Sequence, residues 1–320
     1  MKSWQFQVDE AHHGGRLDIV AAALGGDQLS RRRVRAMIDA GGAWVNGRRI
    51  RIASRTVRQG DRILLEADQR ADPRAAARRM RLRDEQILAT GEGYLVVDKP
   101  AGVPSQETRS QSHLHMKALV EAWLREKGKP PRVWLVHRLD QDTSGVMLFA
   151  TTPAMAEHFT TDFRERRVEK IYHALCYGRP QRRTFEVDRR LSPVGRDGFV
   201  RTVHEGGRSA FTGFRLEREF DGGAFSLMEC RPRTGRTHQI RVHLEHAGIP
   251  IVGDRKYGHR YRRNMPVAFT PPGRHLLHAT RLRFFLPEGE RIIAEAPLPA
   301  EFCPADASRA EVPIDPGQAH

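Results

Sequence analysis

Apolar and polar positions along the N-terminal part of the chain follow first a helical and then a strand period. "RLDIVAAAL" and "LSRRRVRAMIDAGG" have helical spacing, with Ser30 as the expected N-cap of the second helix and the glycines at 41–42 as its end. "AWVNGRRIRI" predicts a hairpin turned at Asn46 and Gly47, and "TVRQGDRILLE" ends in another strand. The pattern therefore predicts a compact unit over residues 15–67.

Changes in composition divide the rest of the chain. The stretch 68–84 is charged, contains Pro73 and has few large apolar residues, which favours a linker, although "RAAARRMRLR" fits a short exposed helix as well. Residues 85–300 alternate strand-like apolar runs with helical stretches and predict the main domain. The polar, Pro-rich residues 301–320 are typical of a flexible tail.

A polar loop between two apolar runs is the most informative feature of the main domain. "WLV" and "VMLF" have the pattern of buried strands, and "HRLDQDTSG" at 137–145 lies between them. Catalytic groups often lie on loops held by a rigid sheet, and a carboxylate such as Asp140 can act as nucleophile or base if a cation keeps it ionised. The alternative is a turn in which Asp142, Thr143 and Ser144 cap backbone N–H groups.

Two further segments carry side chains suited to chemistry on regular elements. In "PRTGRTHQIRVHLEHAG", Thr237 is the expected N-cap of a helix on which His238 and Arg241 lie i, i+3. A surface ion pair with Glu245 is the alternative role for Arg241. In "RRVEKIYHALCYG", strand alternation gives Tyr172 small neighbours on one face, where it either serves a site or is a core tyrosine with a satisfied hydroxyl.

The charge of the chain indicates a nucleic-acid partner. The 320 residues carry a net charge of +15, and only seven of the 54 basic residues are lysine. A GC-rich genome explains arginine over lysine but not the excess of positive charge. Three widely spaced cysteines support neither a disulfide framework nor a structural zinc site, and neither an apolar signal core nor a membrane-length apolar run occurs. We therefore expect a cytoplasmic protein.

A cluster of arginines opens the second predicted helix. Arg31, Arg32 and Arg33 lie in its first turn, where the helix dipole disfavours cations. A bound phosphate would reverse that sign, because exposed N–H groups, the dipole and the guanidinium groups would all favour the anion. A solvated basic face is the alternative.

These segments resemble two known families. The unit at 15–67 is similar to the S4 RNA-binding domain. The motifs "KPAG", "HRLDQDTSG", "KIYHAL", "TGRTHQIRVH", "GDRKYG" and "LLHATRLRF" resemble, in this order, those of the RluA-type RNA pseudouridine synthases over about two hundred residues. The resemblance implies an α+β fold in which a small α+β S4 domain precedes a mixed, largely antiparallel sheet with a central active cleft.

The resemblance also implies roles for particular residues. Asp140 corresponds to the catalytic aspartate, Tyr172 to the tyrosine that contacts the target base, and Arg241 to the arginine that pairs with the aspartate. Arg138 corresponds to the arginine that fills the gap left by the extruded uridine. The implied reaction is isomerisation of uridine to pseudouridine, which needs no cofactor and no metal.

The implied substrate is structured RNA, most closely large-subunit ribosomal RNA, acted on by a monomer. Transfer RNA is the alternative substrate. Two other functions remain open at this level: a Mg²⁺-dependent nuclease using Asp140 and Asp142, and a non-catalytic ribosome-assembly factor that only binds RNA.

Overall fold

The computed structural model describes residues 2–39, 42–50, 52–67, 80–107, 114–195, 197–258, 261 and 273–304. The chain divides into two compact units, Met1–Met80 and Arg81–His320. Most of the predicted linker, 68–79, and most of the predicted tail, 305–320, lie outside the described residues, as does Gly41 at the expected end of the second helix.

The first unit combines two α-helices with a small antiparallel sheet. Its elements, within the part that the structure describes, are β1 (Lys2–Gln7), α1 (Leu17–Gly25), α2 (Arg31–Asp39), β2 (Ala43–Val45), β3 (Arg48–Arg49) and β4 (Arg62–Ala67), with short 3-10 helices at Glu10–His12 and Gly26–Gln28. The strands pair in the order β1-β4-β2-β3. Leu17, Val34, Ile38 and Leu65 are fully buried between helices and sheet, so this unit has an apolar core of its own.

Local sequence signals determine the ends of these elements as expected. The backbone N–H of Arg33 donates to Ser30 Oγ at 3.3 Å, which confirms Ser30 as the N-cap of α2. Asn46 and Gly47 both have positive φ, 52° and 75°, and turn the chain between β2 and β3. Asparagine and glycine are the residues that tolerate this left-handed pair, so the hairpin prediction is confirmed.

The second unit is built on a large sheet. Its described strands are β5 (Ile87–Gly91), β6 (Tyr94–Lys99), β7 (Trp134–Leu135), β8 (Ser144–Ala150), β9 (Glu169–Tyr177), β10 (Thr184–Leu191), β11 (Thr202–Val203), β12 (Arg208–Phe220), β13 (Phe225–Pro232), β14 (Leu277–Phe285) and β15 (Arg291–Glu295). The main order is β11-β10-β12-β13-β9-β14-β8-β6-β5, with β15 on β14 and β7 on β8. Among these described pairs, only β14 with β8 is parallel, so the sheet is mixed and largely antiparallel.

Three α-helices pack on this sheet in the described part of the unit. They are α3 (Met116–Glu126), α4 (Pro153–Arg164) and α5 (Gln239–His246), and short 3-10 helices occur at Asp84–Gln86, Asp221–Gly223 and Ala300–Phe302. The buried face of α3 joins the core of β6 and β8, and α5 joins the core of β9 and β13. The predicted α+β class is confirmed: a small α+β unit comes first along the chain, and a mixed, largely antiparallel sheet follows it.

Candidate active site

The loop between β7 and β8 is anchored by a buried lysine. Lys99, the last residue of β6, has no exposed surface, and its Nζ donates to the carbonyl oxygens of Pro100, Gln141 and Thr143 at 3.0, 2.9 and 2.7 Å. Burial lowers the pKa of Lys99 to about 7. Three carbonyl acceptors match the three N–H donors of an ammonium group, so Lys99 holds both sides of the loop.

At the end of this loop, one threonine hydroxyl and one serine hydroxyl each form a hydrogen bond with a histidine. Thr143 Oγ1 lies 2.8 Å from His275 Nε2, and Ser144 Oγ lies 2.9 Å from His278 Nδ1. Burial lowers the pKa of His275 to about 3 and that of His278 to about 4, so both are neutral. The alternative in which these hydroxyls cap backbone N–H groups is wrong, because the parallel pairing of β8 with β14 brings both histidines within reach.

Asp140 faces a guanidinium group from a distant part of the chain. Arg241 Nη1 donates to Asp140 Oδ2 at 3.0 Å. The same guanidinium binds Asp254 through two hydrogen bonds, Nε to Oδ2 at 2.6 Å and Nη2 to Oδ1 at 3.0 Å. Side-chain exposure is 28% for Asp140, 7% for Arg241 and 0% for Asp254. One buried cation therefore bridges two carboxylates, of which only Asp140 is accessible.

Electrostatics keep this array charged. Burial acts to lower the pKa of Arg241, but hydrogen bonds and charge from Asp254, together with the charge of Asp140, outweigh it and raise the pKa above its ordinary value. Asp254 Oδ1 also accepts the backbone N–H groups of Lys256 and Tyr257. The alternative in which Arg241 pairs with Glu245 at the surface is wrong, because α5 turns Arg241 into the protein.

The start of α5 differs from the prediction. The helix begins at Gln239, and its N-cap is His238 in the left-handed region, with φ of 56°. Gln239 folds back, so that its Oε1 accepts from Thr234 Oγ1 at 2.7 Å and from the Arg236 backbone N–H at 3.0 Å. Thr237 is therefore not the N-cap, because a glutamine in the first turn satisfies the preceding loop instead.

Asp140 and Tyr172 line one cleft of about 910 Å³. Arg138, whose side chain is exposed, and Arg241 also line it. The other basic side chains along its wall are Arg164, Arg166, Lys170, Arg233 and Arg236. The folding of the sheet thus brings together residues that are about a hundred positions apart in the sequence, in a cleft whose walls are positively charged.

Tyr172 lies on β9 beside the apolar cores of the second unit. Burial raises the pKa of Tyr172 far above its ordinary value, and the negative charge of Asp140 adds to this. The phenol therefore keeps its proton throughout the physiological pH range. Tyr172 therefore packs against the core and also lines the cleft, where a ligand can reach it.

The arginines at the start of α2 have partners within their own unit. Asp18 is fully buried and pairs with Arg16, Arg31 and Arg35 at 3.0, 3.0 and 3.2 Å. Arg33 lies over the Trp4 ring at 4.9 Å. Three cations on one carboxylate leave a surplus of positive charge, and the guanidinium group of Arg31 remains half-exposed.

One group of side chains has the spacing of a metal site in the described part of the chain. Ligand atoms of His173, Glu217 and Glu229 lie within 4.8 Å of one another. Glu229 already binds the guanidinium groups of Arg215 and Arg231. These ion pairs oppose a further cation, so the group is better explained as an ion-pair network on the sheet.

Sequence reasoning did not assign roles to Asp254 or Lys99. Both lie in motifs that were noted, "GDRKYG" and "KPAG". A charged residue beside a glycine or proline in a predicted turn was the available signal. The distant partners, Arg241 at 13 positions from Asp254 and Gln141 and Thr143 more than 40 positions from Lys99, are revealed only by the folded chain.

Comparisons with known proteins identify the family of the chain. Residues 93–246 match the family model described as RNA pseudouridylate synthase, and residues 15–63 match the S4 domain. The chain is 32% identical to ribosomal large subunit pseudouridine synthase D of Pseudomonas aeruginosa over 90% of both chains. It is 33% identical to the protein of that name from Haemophilus ducreyi, over 90% of this chain and 89% of the relative.

A solved structure gives the same result. Human RNA pseudouridylate synthase domain containing 4 is 28% identical, with a TM-score of 0.56 over 68% of this chain and 90% of that chain. The chain belongs to the family of RNA pseudouridine synthases and carries an S4 domain at its N-terminal side. It is therefore an isomerase that acts on uridine in RNA, and the resemblance seen in the sequence is confirmed. Among the described residues, no helix is long and apolar enough to cross a membrane.

Proposed function

We propose that Asp140 drives the conversion of uridine to pseudouridine in large-subunit ribosomal RNA. The observation that carries this proposal is the bridge from Asp140 through Arg241 to buried Asp254 at the cleft. A carboxylate that stays ionised beside a fixed cation and is open to a cleft is suited to act as nucleophile or base in cleavage of the glycosidic bond. The base then rotates and re-attaches through C5.

Other cleft residues receive roles in this proposal. Arg241 keeps Asp140 ionised and oriented. Tyr172 contacts the uracil ring and, because its phenol is protonated, meets the base as a neutral aromatic face with a hydroxyl donor. Arg138 is exposed at the cleft and fills the space that the extruded nucleotide leaves in the RNA. Arg31, Arg32 and Arg33 bind phosphates of the RNA through the first unit.

The ribosomal substrate rests on the relatives and on the layout of the chain. Two of the relatives described above are named for the ribosomal large subunit. An additional basic domain suits a large folded RNA, whose phosphates extend well beyond the target nucleotide. A hairpin loop or bulge is the expected place of the target, because extrusion from it costs least.

Replacement of the proposed catalytic carboxylate tests the mechanism. Asp140→Asn removes the ionised group, and we expect pseudouridine formation to fall by at least about a thousandfold while RNA affinity stays within about twofold, because a carboxylate does not attract phosphate. The measurement is tritium release from RNA labelled at uridine C5. Asp142→Asn, an equal charge change in the same loop, is the matched control. Asp140→Asn activity within tenfold of wild type would contradict the assignment.

Mapping of pseudouridines tests the substrate. Deletion of the gene, followed by carbodiimide mapping of ribosomal and transfer RNA, is expected to remove pseudouridines from large-subunit ribosomal RNA alone. Loss confined to transfer RNA would contradict the ribosomal proposal. No loss in either RNA would favour the assembly factor that only binds RNA.

A further inference from the structure

A chain of hydrogen bonds leads from the protein backbone to the side chain beside Asp140. The backbone N–H of Val200 donates to Tyr257 Oη at 2.9 Å, and Tyr257 Oη lies 2.9 Å from His238 Nδ1. His238 Nε2 lies 3.9 Å from Asp140 Oδ2. The imidazole ring therefore stands between a tyrosine hydroxyl and the carboxylate to which the reaction is assigned.

This chain favours one tautomer of His238. The Tyr257 oxygen accepts from Val200 and its O–H can donate to His238 Nδ1, whereas a ring protonated at Nδ1 would direct the Nε2 lone pair at the Asp140 carboxylate, which is electrostatically unfavourable. Nδ1 then accepts, and in the neutral ring the proton is carried by Nε2. Burial lowers the pKa of His238 below its ordinary value, against the opposing charge of Asp140, which supports the neutral ring. An N–H donor thus faces Asp140.

The backbone is held in an uncommon conformation to achieve this orientation. His238 has φ of 56°, a left-handed region that few residues other than glycine adopt, although histidine, like asparagine and aspartate, is enriched there. Tyr257 in turn packs beneath the guanidinium of Arg241 at 5.1 Å from the ring centroid. Strain of this kind persists where surrounding contacts enforce it, and it is frequent at functional sites.

The separation of Nε2 from Oδ2 is too long for a hydrogen bond but leaves room for one oxygen atom. Two hydrogen bonds of about 2.8 Å that meet at roughly a right angle span 3.9 Å. The oxygen would have to accept from Nε2–H and donate to the Asp140 carboxylate. Only a hydroxyl group or a water molecule can do both.

The target nucleotide offers one such group. Within an RNA chain, the 3′ and 5′ oxygens of a uridine are esterified, and the uracil carbonyls only accept while its N3–H only donates. The ribose 2′-hydroxyl is the remaining group that does both, and it is bonded to the carbon next to C1′. A carboxylate that promotes cleavage at C1′ necessarily lies near it.

We propose that His238 and Asp140 together bind the 2′-hydroxyl of the target uridine, with Nε2–H donating to it and the carboxylate accepting from it. This inference rests on the proposed catalytic role of Asp140. It makes His238 a specificity residue for ribose at the one nucleotide that reacts. The surrounding RNA, by contrast, is bound through its phosphates.

A thermodynamic cycle between enzyme and substrate tests the contact. The substrates are two RNA hairpins with C5-tritiated target uridine, all-ribose or 2′-deoxy at that nucleotide only. For the wild type, we expect 2′-deoxy substitution to lower kcat/KM about tenfold or more. For His238→Asn, where the contact with Asp140 remains, we expect the loss on the same substitution to be at least about fivefold smaller than in the wild type. Direct effects of the hydroxyl on the chemistry cancel in the cycle.

The variant is chosen to preserve the fold. Asparagine tolerates the left-handed backbone and keeps a polar atom near the position of Nδ1, but it has none at the position of Nε2. His246→Asn, at the exposed other end of α5, is the matched control and is expected to keep the wild-type preference for ribose. Tyr257→Phe removes the hydroxyl that bonds to His238 Nδ1, so the ring can adopt either tautomer. Its preference for the all-ribose hairpin is expected to be weaker than that of the wild type and stronger than that of His238→Asn.

The outcomes separate this inference from the function on which it rests. If 2′-deoxy substitution lowers kcat/KM by the same factor in the wild type and in His238→Asn, the inference is contradicted and the proposed function is not. If His238→Asn does not fold, an unchanged ribose preference in Tyr257→Phe would contradict it equally. Absence of tritium release from the all-ribose hairpin by the wild type would contradict the proposed function itself.

Discussion

At the scale of single residues, Arg241 is the charge on which the site depends. Its guanidinium neutralises Asp254, whose side chain has no exposed surface, and still reaches Asp140 with one nitrogen. Burial acts to raise the pKa of Asp254, but the hydrogen bonds and charge of Arg241 outweigh it and hold that pKa below the ordinary 3.8. Asp254 is therefore the main partner of Arg241 within the protein, and Asp140 binds the same guanidinium through one further hydrogen bond.

Arg241→Met is expected to damage stability as well as activity. A buried carboxylate left without its cation costs about 3–5 kcal/mol of unfolding free energy. In the wild type, Asp254 has a lowered pKa, so its stabilisation is present above pH 3.8 and is lost as the pH falls through its folded pKa. In the variant, backbone hydrogen bonds to Asp254 remain, but burial, the largest influence on its pKa, is no longer opposed by the guanidinium and raises that pKa, so stability is lost as the pH rises.

Thermal unfolding as a function of pH measures this reversal. The variant is expected to unfold at a higher temperature at pH 5 than at pH 7, whereas in the wild type this group contributes almost no pH dependence between these two values. Arg281→Met, which removes an exposed arginine paired with Glu295, is the control and is expected to change stability by less than about 1 kcal/mol. A variant with wild-type pH dependence would show that Asp254 does not need Arg241.

At the scale of secondary-structure elements, the end of β6 determines the shape of the neighbouring loop. Lys99 reaches from β6 to carbonyl groups on both sides of Asp142. The adjacent strand pair β6 and β8 places the two segments next to each other, with Lys99 opposite Gly145. Gly145 has φ of 107°, and a Cβ there would lie 2.1 Å from the Ala279 carbonyl oxygen, so glycine is required at this position of β8.

Lys99→Met is expected to loosen this loop. Methionine fills a similar volume but donates no hydrogen bond, so three carbonyl groups lose their donor at a cost of about 3 kcal/mol. We expect kcat to fall by about a hundredfold, because Asp140, the proposed catalytic carboxylate, lies within the loop and small displacements of such a group are costly. The measurements are denaturant unfolding and tritium release at saturating RNA.

Lys117→Met is the matched control for that variant. Lys117 lies on α3, where it pairs with Glu121 one turn further along the helix at a partly exposed site. Its loss is expected to change stability by about 0.5 kcal/mol and to leave kcat unaltered. Equal effects of the two substitutions would contradict the anchoring role of Lys99.

At the scale of the whole molecule, the chain consists of two units with separate apolar cores. The first has its own buried apolar cluster around Leu17 and Leu65, and the described cleft residues all belong to the second. The net charge of +15 is a property of the whole chain and gives it a general attraction for RNA. We therefore expect RNA affinity and isomerisation chemistry to be separable.

Removal of residues 1–80 tests this separation. We expect the remaining chain to keep kcat within about threefold at saturating RNA. Its RNA affinity should be weaker, and the slope of log affinity against log salt should be smaller by about 2, because three arginine–phosphate contacts are lost at about 0.7 each. An unchanged salt slope would show that Arg31, Arg32 and Arg33 do not contact RNA.

The sequence by itself determined several element ends and indicated the kind of site, but the unit predicted at 15–67 did not include β1 (Lys2–Gln7), which pairs with β4. Ser30 and the Asn46-Gly47 pair act on their immediate neighbours, so the cap of α2 and the turn of the hairpin followed from local rules. The loop at 137–145 was predicted because an abrupt change from apolar to charged residues is visible in the sequence. Its motifs also indicated the family.

Only the tertiary structure decided which charges meet. Asp140 and Arg241 are 101 positions apart, and Arg241 turned inward to Asp254 where the helix pattern allowed an equally good surface pair with Glu245. Thr237 is not the N-cap of α5, because the Gln239 side chain accepts hydrogen bonds from Thr234 and Arg236 in the preceding loop. His238 gained its orientation from Tyr257 and Val200. Burial and partner choice depend on how strands distant in the sequence pair, and no local spacing contains that information.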